Sequence, residues 1–361
     1  MKKILIITSA YGSGHKVPAE ALQEELLHRG YAVSVLDFKD IIGTDPERIS
    51  KKIYELSAEH LPLLYQGIAS ITDSEKILNR ISSLLPPSSL KKFEQLLQKT
   101  KPDIIVTTYP AANRLITMYK KKMGFSLVTV VTDLKSLHRY WIAPGTDAYL
   151  VPLRETKIAL RALGVPARLI HVLGFPLRPV FTKKKDNRVL RQNFSISTRA
   201  FVVLYMLHTG PDHFALPLAR KIEMMPNTQL VVICGKNEKL RTQLVRKLPH
   251  AHVLGFVSNI DEYLRIANVA MGKAGTGFLM ESATMGCPVI ITKYLKPQEE
   301  GNAQLFEEKG IGFIETSTTK ILKRLEEMEK TGEKKEVSKT KTPLIHNLNA
   351  TRRIVNYITS L

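Results

Sequence analysis

The chain has 361 residues, more than one ordinary domain holds, and 44% of them are hydrophobic, which is ample for two packed cores. Its 53 Lys and Arg against 33 Asp and Glu leave a net charge of +20, which points to anionic partners: phosphorylated substrates, acidic lipid or nucleic acid. No apolar run approaches the roughly 18 residues of a membrane span, and the two cysteines, Cys234 and Cys287, have no metal-site spacing and suit a reduced, cytosolic setting.

Short apolar runs alternate with amphipathic stretches, the pattern of parallel sheets covered by helices. The opening MKKILIITSAYGSG is too short for a spanning helix and runs straight into a strand–turn–helix, which disfavours a signal peptide. In the first half, strands are expected at 3–8, 32–36, 104–107, 127–131, 148–151 and 171–173. Helices are expected near 17–29, 47–69, 76–83, 90–98, 111–122 and 154–163. The stretch from Phe175 to Ser197, rich in Pro, Lys, Arg and Asn, reads as a link. A second series of strands follows at 201–206, 229–234, 252–254, 269–271 and 289–291. A charged helix and loop are expected over 317–343, and a last helix over 349–359. The expected organisation is an N-terminal domain (1–178), a linker (179–198), a second domain (199–343) and a closing segment (344–361) that can cross back to the first domain. The expected class is α/β, with two doubly wound Rossmann-like domains facing a cleft.

Two stretches carry chemistry in the first half. The first strand leads into Gly12-Ser13-Gly14-His15. A Walker A loop fails there because Val17 and Pro18 stand where it needs Gly and Lys. A dinucleotide fingerprint fails because Val17 replaces its third glycine, although Asp37 would suit a ribose. What remains is a histidine at a helix start, where imidazole protonation is disfavoured and a general base is well placed; a helix-capping histidine is the equal alternative. The second stretch follows the strand at 127–131. Asp133 at its end is placed to orient or assist His15, and His138 with Trp141 to shape an acceptor pocket. A buried structural role is the alternative for Trp141, the only tryptophan.

The stretch from Met271 to Ala303 reads as a nucleotide-sugar site. A strand runs into a turn with glycines at 272, 275 and 277, then into a helix whose N-terminus offers free amides to a phosphate. Glu281, one turn in, can accept both hydroxyls of a ribose. The loop Gln298-Glu299-Glu300-Gly301-Asn302 has the polar groups that hydrogen-bond a sugar. Two basic amphipathic stretches, Arg114 to Phe125 with Lys120, Lys121 and Lys122, and Lys91 to Lys101, are either solvated faces or surfaces for an anionic bilayer.

Gly12-Ser-Gly-His15, Thr132-Asp133, His138, Trp141, Cys234-Gly-Lys-Asn237, Leu254-Gly-Phe-Val257, Lys273-Ala-Gly-Thr-Gly277, Glu281 and Gln298-Glu299-Glu-Gly-Asn302-Ala303 come in this order along the chain. In that order they resemble the diacylglycerol glycosyltransferases: the plant monogalactosyldiacylglycerol synthases and the bacterial processive diacylglycerol glucosyltransferases. More distantly, the chain is similar to the peptidoglycan enzyme that adds N-acetylglucosamine to lipid I. The resemblance implies a GT-B fold, inverting transfer of glucose or galactose from a UDP-sugar to diacylglycerol or a glycosyl-diacylglycerol, a β-linked product, and neither metal nor cofactor. It implies His15 as the base or a residue beside it, with Asp133 as its partner or itself the base, and the diphosphate on the turn Gly275, Thr276, Gly277. Ribose then falls to Glu281, the donor sugar to Gln298, Glu299 and Asn302, and uracil to Phe256 and Val257. Gly14 and Thr209 complete the donor set. His138, Trp141, Arg114, Lys120, Lys121 and Lys122 fall to acceptor or membrane, and the implied location is cytoplasmic, peripheral on the inner face of the cell membrane. Two departures stand out. The turn at 207–213 has one glycine where the family is glycine-rich, leaving its phosphate contact to Thr209 and His208, and Pro297 replaces a frequent glycine. Another lipid or small-molecule acceptor is the alternative within the fold. A basic nucleic-acid-binding protein fits the charge but has no recognisable nucleic-acid module, and a nicotinamide dehydrogenase is weakened by Val17.

Overall fold

The structure, a computed structural model, describes residues 2–9, 13–42, 73–74, 86–207, 214–331 and 348–361. The helices expected over 47–69 and 76–83 lie outside the described residues, as does the turn at 208–213 with Thr209. The chain divides into two compact units: Met1–Pro179 with Lys296–Gly301 and His346–Leu361, and Val180–Leu295 with Asn302–Ile345.

The first unit is built on β1 (Lys3–Thr8), β2 (Ala32–Asp37), β3 (Ile104–Thr107), β4 (Ser126–Val130), β5 (Ala148–Val151) and β6 (Ile170–Val172). Every pairing is parallel, in the order β2-β1-β3-β4-β5-β6. Parallel strands are covered on both faces, so they read as unbroken apolar runs. In β1, Ile4 and Ile6 pack on one face with Leu22 and Leu26 of α1 (Ser13–His28). Leu5 and Ile7 pack on the other, against Ile41 of α2 (Lys39–Ile42), Phe93 and Leu97 of α3 (Pro87–Thr100) and Leu115 of α4 (Ala112–Met123). Past β5, α5 (Arg154–Ala162) places Leu160 in a further cluster with Trp141, Tyr149 and Val151.

The second unit opens on α6 (Asn187–Asn193) and continues through β7 (Phe201–Met206), α7 (Ala215–Glu223), β8 (Thr228–Ile233), α8 (Glu238–Lys247), β9 (His252–Leu254) and α9 (Ile260–Ile266). It then runs through β10 (Val269–Lys273), α10 (Thr276–Thr284), β11 (Val289–Lys293), α11 (Glu300–Glu308), β12 (Gly312–Ile314) and α12 (Thr318–Thr331). Its sheet is again parallel throughout, in the order β12-β11-β10-β7-β8-β9. The last helix, α13 (Ala350–Ser360), belongs to the first unit, where Ile354, Val355 and Ile358 are fully buried in the cluster with Ile4 and Ile6. Thr351 seals it by donating to the Leu177 carbonyl at 2.7 Å and accepting from the Leu177 amide at 3.0 Å.

Four local readings are corrected. α6 sits inside the stretch read as a link: Asp186 caps it by accepting from the Arg188 amide, and buried Arg191 donates to the carbonyls of Ser197, Ala200 and Ile266. α11 begins at Glu300, so Asn302 is helical rather than in a loop. α1 begins at Ser13, earlier than the start expected near 17, so Pro18 lies beyond the first turn and cannot donate to the Gly14 carbonyl. The short strand β12 pairs with β11 from Gly312 to Ile314.

Candidate active site

In each sheet the strand order reverses once, and open α/β sheets bind ligands outside the carboxyl ends of the strands at that point. In the first unit the reversal lies between β1 and β3. His15, in the first turn of α1, sits there. Its backbone carbonyl accepts from Thr8 Oγ1, at the end of β1, at 3.1 Å and from Thr108 Oγ1, just past β3, at 3.0 Å. The Thr108 and Thr8 hydroxyl oxygens lie 2.8 Å apart. The ring is half-buried, edge-on to Tyr109 with centroids 5.3 Å apart and tilted against Trp141 at 5.9 Å. Loss of water around the imidazole drives its pKa down to about 4, against a smaller opposing effect of the Thr108 backbone. His15 is therefore neutral at physiological pH, the form a general base needs.

The His15 ring is hydrogen-bonded to Thr132, not to its expected partner Asp133: Nδ1 lies 2.9 Å from Thr132 Oγ1. The Asp133 carboxylate instead accepts from the Trp141 indole Nε1 at 2.7 Å. Burial pushes the Asp133 carboxyl up to about 6; the Trp141 hydrogen bond opposes this and the nearby Glu299 carboxylate adds to it. Trp141, expected at the acceptor pocket, is fully buried among Val131, Tyr149 and Leu160, so its ring has no open face for a lipid. Its contribution is to hold Asp133 and wall the His15 ring. His138 stacks on Tyr140 with centroids 4.7 Å apart and accepts from the Tyr140 amide.

Because the folded state holds the Asp133 proton more tightly than an unfolded chain does, ionising Asp133 costs stability as pH rises from about 4 to above 6. Asp133→Asn removes that cost while Asn still accepts from Trp141. Its melting temperature relative to the parent should therefore be higher at pH 8 than at pH 4.5, on the order of 2 kcal/mol of relative stabilisation. Thermal unfolding at the two pH values checks this; an offset that does not change with pH would contradict it.

The expected membrane residues separate into two sets. Arg114 is buried in α4, and Lys120 is held by the Gly145 carbonyl and the Asp147 carboxylate. Lys121 and Lys122 are exposed, as are Met118 on the same helix and Lys91 and Lys92 on α3. Tyr119 OH donates to the Leu90 carbonyl, and Lys122 pairs with Glu94. α3 and α4 thus lie side by side.

In the second unit the strand order reverses between β7 and β10. There β10 runs through Gly272 into α10. A Cβ on Gly272 would stand 3.1 Å from the Met206 carbonyl oxygen and 3.2 Å from the Phe278 ring, so a side chain there would press on β7 and α10. Gly275 is the N-cap of α10 and supplies no side-chain cap, and the space beside it is open. The first-turn amides of Thr276 and Gly277 and the positive end of the helix dipole can then take a phosphate. Glu281 is buried one turn further along. Phe256, just after β9, is 69% exposed, and Lys236 Nζ lies 5.9 Å from its ring centre; Val257 beside it is half-buried. Gln298 is half-buried, while Glu299 and Asn302 are buried. Gly301 belongs to the first unit, where its amide donates to Ser136 Oγ at 3.1 Å. Among the described residues, no cluster of three or more His, Cys, Asp or Glu could hold a metal ion.

Two parallel sheets of this topology make the fold that of the GT-B glycosyltransferases. MurG of Acinetobacter baumannii superposes with a TM-score of 0.61 at 15% identity, covering 99% of this chain and 100% of that one. The UDP-N-acetylglucosamine 2-epimerase of Neisseria meningitidis, bound to UDP-GlcNAc, gives 0.60 at 14% identity over 100% of both chains, so the fold alone does not choose the reaction. Sequence does. Residues 15–177 match the monogalactosyldiacylglycerol synthases and residues 212–355 the C-terminal domain of glycosyltransferase family 28. A processive diacylglycerol β-glucosyltransferase of Bacillus cereus (strain AH187) is 30% identical over 336 residues, 90% of this chain and 84% of that relative. The chain belongs to the diacylglycerol glycosyltransferases and is an enzyme of that family. The sequence motifs did not single out Thr8 or Thr108, and Thr132 only as a neighbour of Asp133; the one signal was a hydroxyl at the carboxyl end of each strand.

Proposed function

We propose that this enzyme moves a hexose, glucose or galactose, from a UDP-sugar to the free hydroxyl of diacylglycerol or of a glycosyl-diacylglycerol, making a β-linked glycolipid. The observation that carries the lipid acceptor is the match of residues 15–177 to the monogalactosyldiacylglycerol synthases, because relatives of this fold share the nucleotide half and differ in the first. The reaction is a single displacement. Neutral His15 takes the acceptor hydroxyl proton, the freed oxygen bonds to the anomeric carbon, and the bond to the diphosphate breaks with its electron pair going to UDP. The Thr276 and Gly277 amides at the start of α10 stabilise that developing charge, as preorganised donors do. Glu281 takes the ribose hydroxyls, Phe256 and Val257 border the uracil, and Gln298, Glu299 and Asn302 face the sugar. Titration calorimetry with UDP is the test: saturable binding near one equivalent is expected, and absence of binding would overturn the donor assignment.

The enzyme works at the face of an anionic membrane. Among the described residues no helix is long and apolar enough to cross one, whereas Lys91, Lys92, Lys121 and Met118 are exposed on the neighbouring helices α3 and α4. A lysine near an anionic surface contributes about 1 kcal/mol. Reversing Lys91, Lys92 and Lys121 to glutamate should therefore weaken co-sedimentation with phosphatidylglycerol vesicles by roughly 10²-fold or more, and high salt should weaken it in the parent. Pelleting that ignores both salt and these substitutions would count against this surface.

A further inference from the structure

Resting on the reading of His15 as the base, we infer that Thr132 is a positioning residue that fixes the His15 tautomer, keeping the proton on Nδ1 and the lone pair of Nε2 toward the acceptor hydroxyl. The structure leaves the imidazole little other freedom. Its residue is anchored from behind by two threonine hydroxyls at the His15 carbonyl, Thr8 and Thr108, whose oxygens lie 2.8 Å apart. Tyr109 stands edge-on to the ring and Trp141 tilts against it. This packing leaves open which nitrogen carries the proton; Thr132 Oγ1, fully buried, lies 2.9 Å from Nδ1, and the Thr108 backbone also reaches the ring.

The direction of that hydrogen bond follows from the chemistry. If Thr132 donated to Nδ1, the neutral ring would carry its proton on Nε2 and would have no lone pair for the acceptor. If Nδ1–H donates to Thr132 Oγ1, Nε2 is free. The proton leaving the acceptor oxygen then lands on Nε2, and the imidazolium keeps its Nδ1–H bond to Thr132 unchanged. The next residue along, Asp133, is the group expected in this role, but its carboxylate is engaged by the Trp141 indole. A neutral hydroxyl orients the ring without adding a negative charge to stabilise the imidazolium, which agrees with a ring that stays unprotonated down to low pH.

The test uses the full-length enzyme with three variants. Thr132→Val keeps the shape and removes the hydroxyl; Thr132→Ser keeps the hydroxyl; His15→Ala identifies the His15 signals in long-range 1H–15N spectra of histidine-labelled protein. Thr132→Val should lower kcat by roughly 10- to 100-fold with the KM for the UDP-sugar unchanged, a loss typical of residues that orient a functional histidine. Thr132→Ser should restore most of it. In the parent spectrum, Nδ1 of His15 should be the protonated nitrogen, and in Thr132→Val the two tautomers should mix. A parent spectrum with the proton on Nε2 overturns the inference even if the valine variant does not fold, and so does full turnover in Thr132→Val. Full turnover in His15→Ala would instead remove the base assignment itself. Loss in His15→Ala with full turnover in Thr132→Val leaves the base standing and removes only Thr132.

Discussion

Replacing His15 with alanine should lower turnover by roughly 10²-fold or more while changing UDP affinity little. The loss falls on kcat because His15 acts on the acceptor proton. The nucleotide contacts assigned to Thr276, Gly277 and Glu281 lie on α10 of the other sheet. Initial rates at saturating donor, set beside UDP titration of the same variant, separate the two effects. Unchanged turnover would take His15 out of the reaction. The pH profile distinguishes His15 from Asp133: His15 loses its basic form only below about 4, Asp133 below about 6. With His15 as base and Asp133 structural, the Asp133→Asn variant should keep a neutral-pH plateau; with Asp133 as base, the same variant should lose turnover at every pH.

Glu281→Ala should cost about 10²-fold or more in UDP affinity while leaving turnover at saturating donor within several-fold of the parent. A hydrogen bond to a charged acceptor contributes roughly 1.5–3 kcal/mol, and a ribose diol on one carboxylate makes two. At 1.4 kcal/mol per decade, losing both exceeds a hundredfold. Burial strengthens the effect, because Glu281 is only 9% exposed and water cannot take over its role. Glu281→Gln, which keeps one acceptor oxygen, should fall between. Calorimetric titration with UDP measures all three, and an unchanged dissociation constant in Glu281→Ala would place the ribose elsewhere.

The two sheets were legible because parallel strands buried on both faces leave a strong mark. Lys3–Thr8 and Phe201–Met206 fall where their apolar runs place them, and most other strands within a residue. The glycine turn at 272–277 was equally plain, since β10 packs close to β7 at Gly272 and space is open beside Gly275. What escaped depends on partners far away in the chain. α6 looks like a polar linker until Arg191 is seen donating to Ile266 and Ala200. β12 is three residues long and starts at a glycine, too short to carry a period. The pairing of His15 with Thr132 spans 117 residues and exists only because β1, β3 and β4 lie side by side, an order that hydropathy does not encode. Trp141 was ambiguous for a related reason: its type suits both a sugar platform and a core, and only the indole's hydrogen bond to Asp133 chooses.

Incubating the purified protein with diacylglycerol and either UDP-glucose or UDP-galactose, followed by mass analysis of the extracted lipid, addresses the enzyme's reaction without intermediaries. A product heavier than the acceptor by one hexose, β-linked by NMR and formed together with free UDP, is the expected result. Intact acceptor with both donors, in the presence of anionic vesicles and with UDP binding retained, would show that the hexose goes to something other than this lipid.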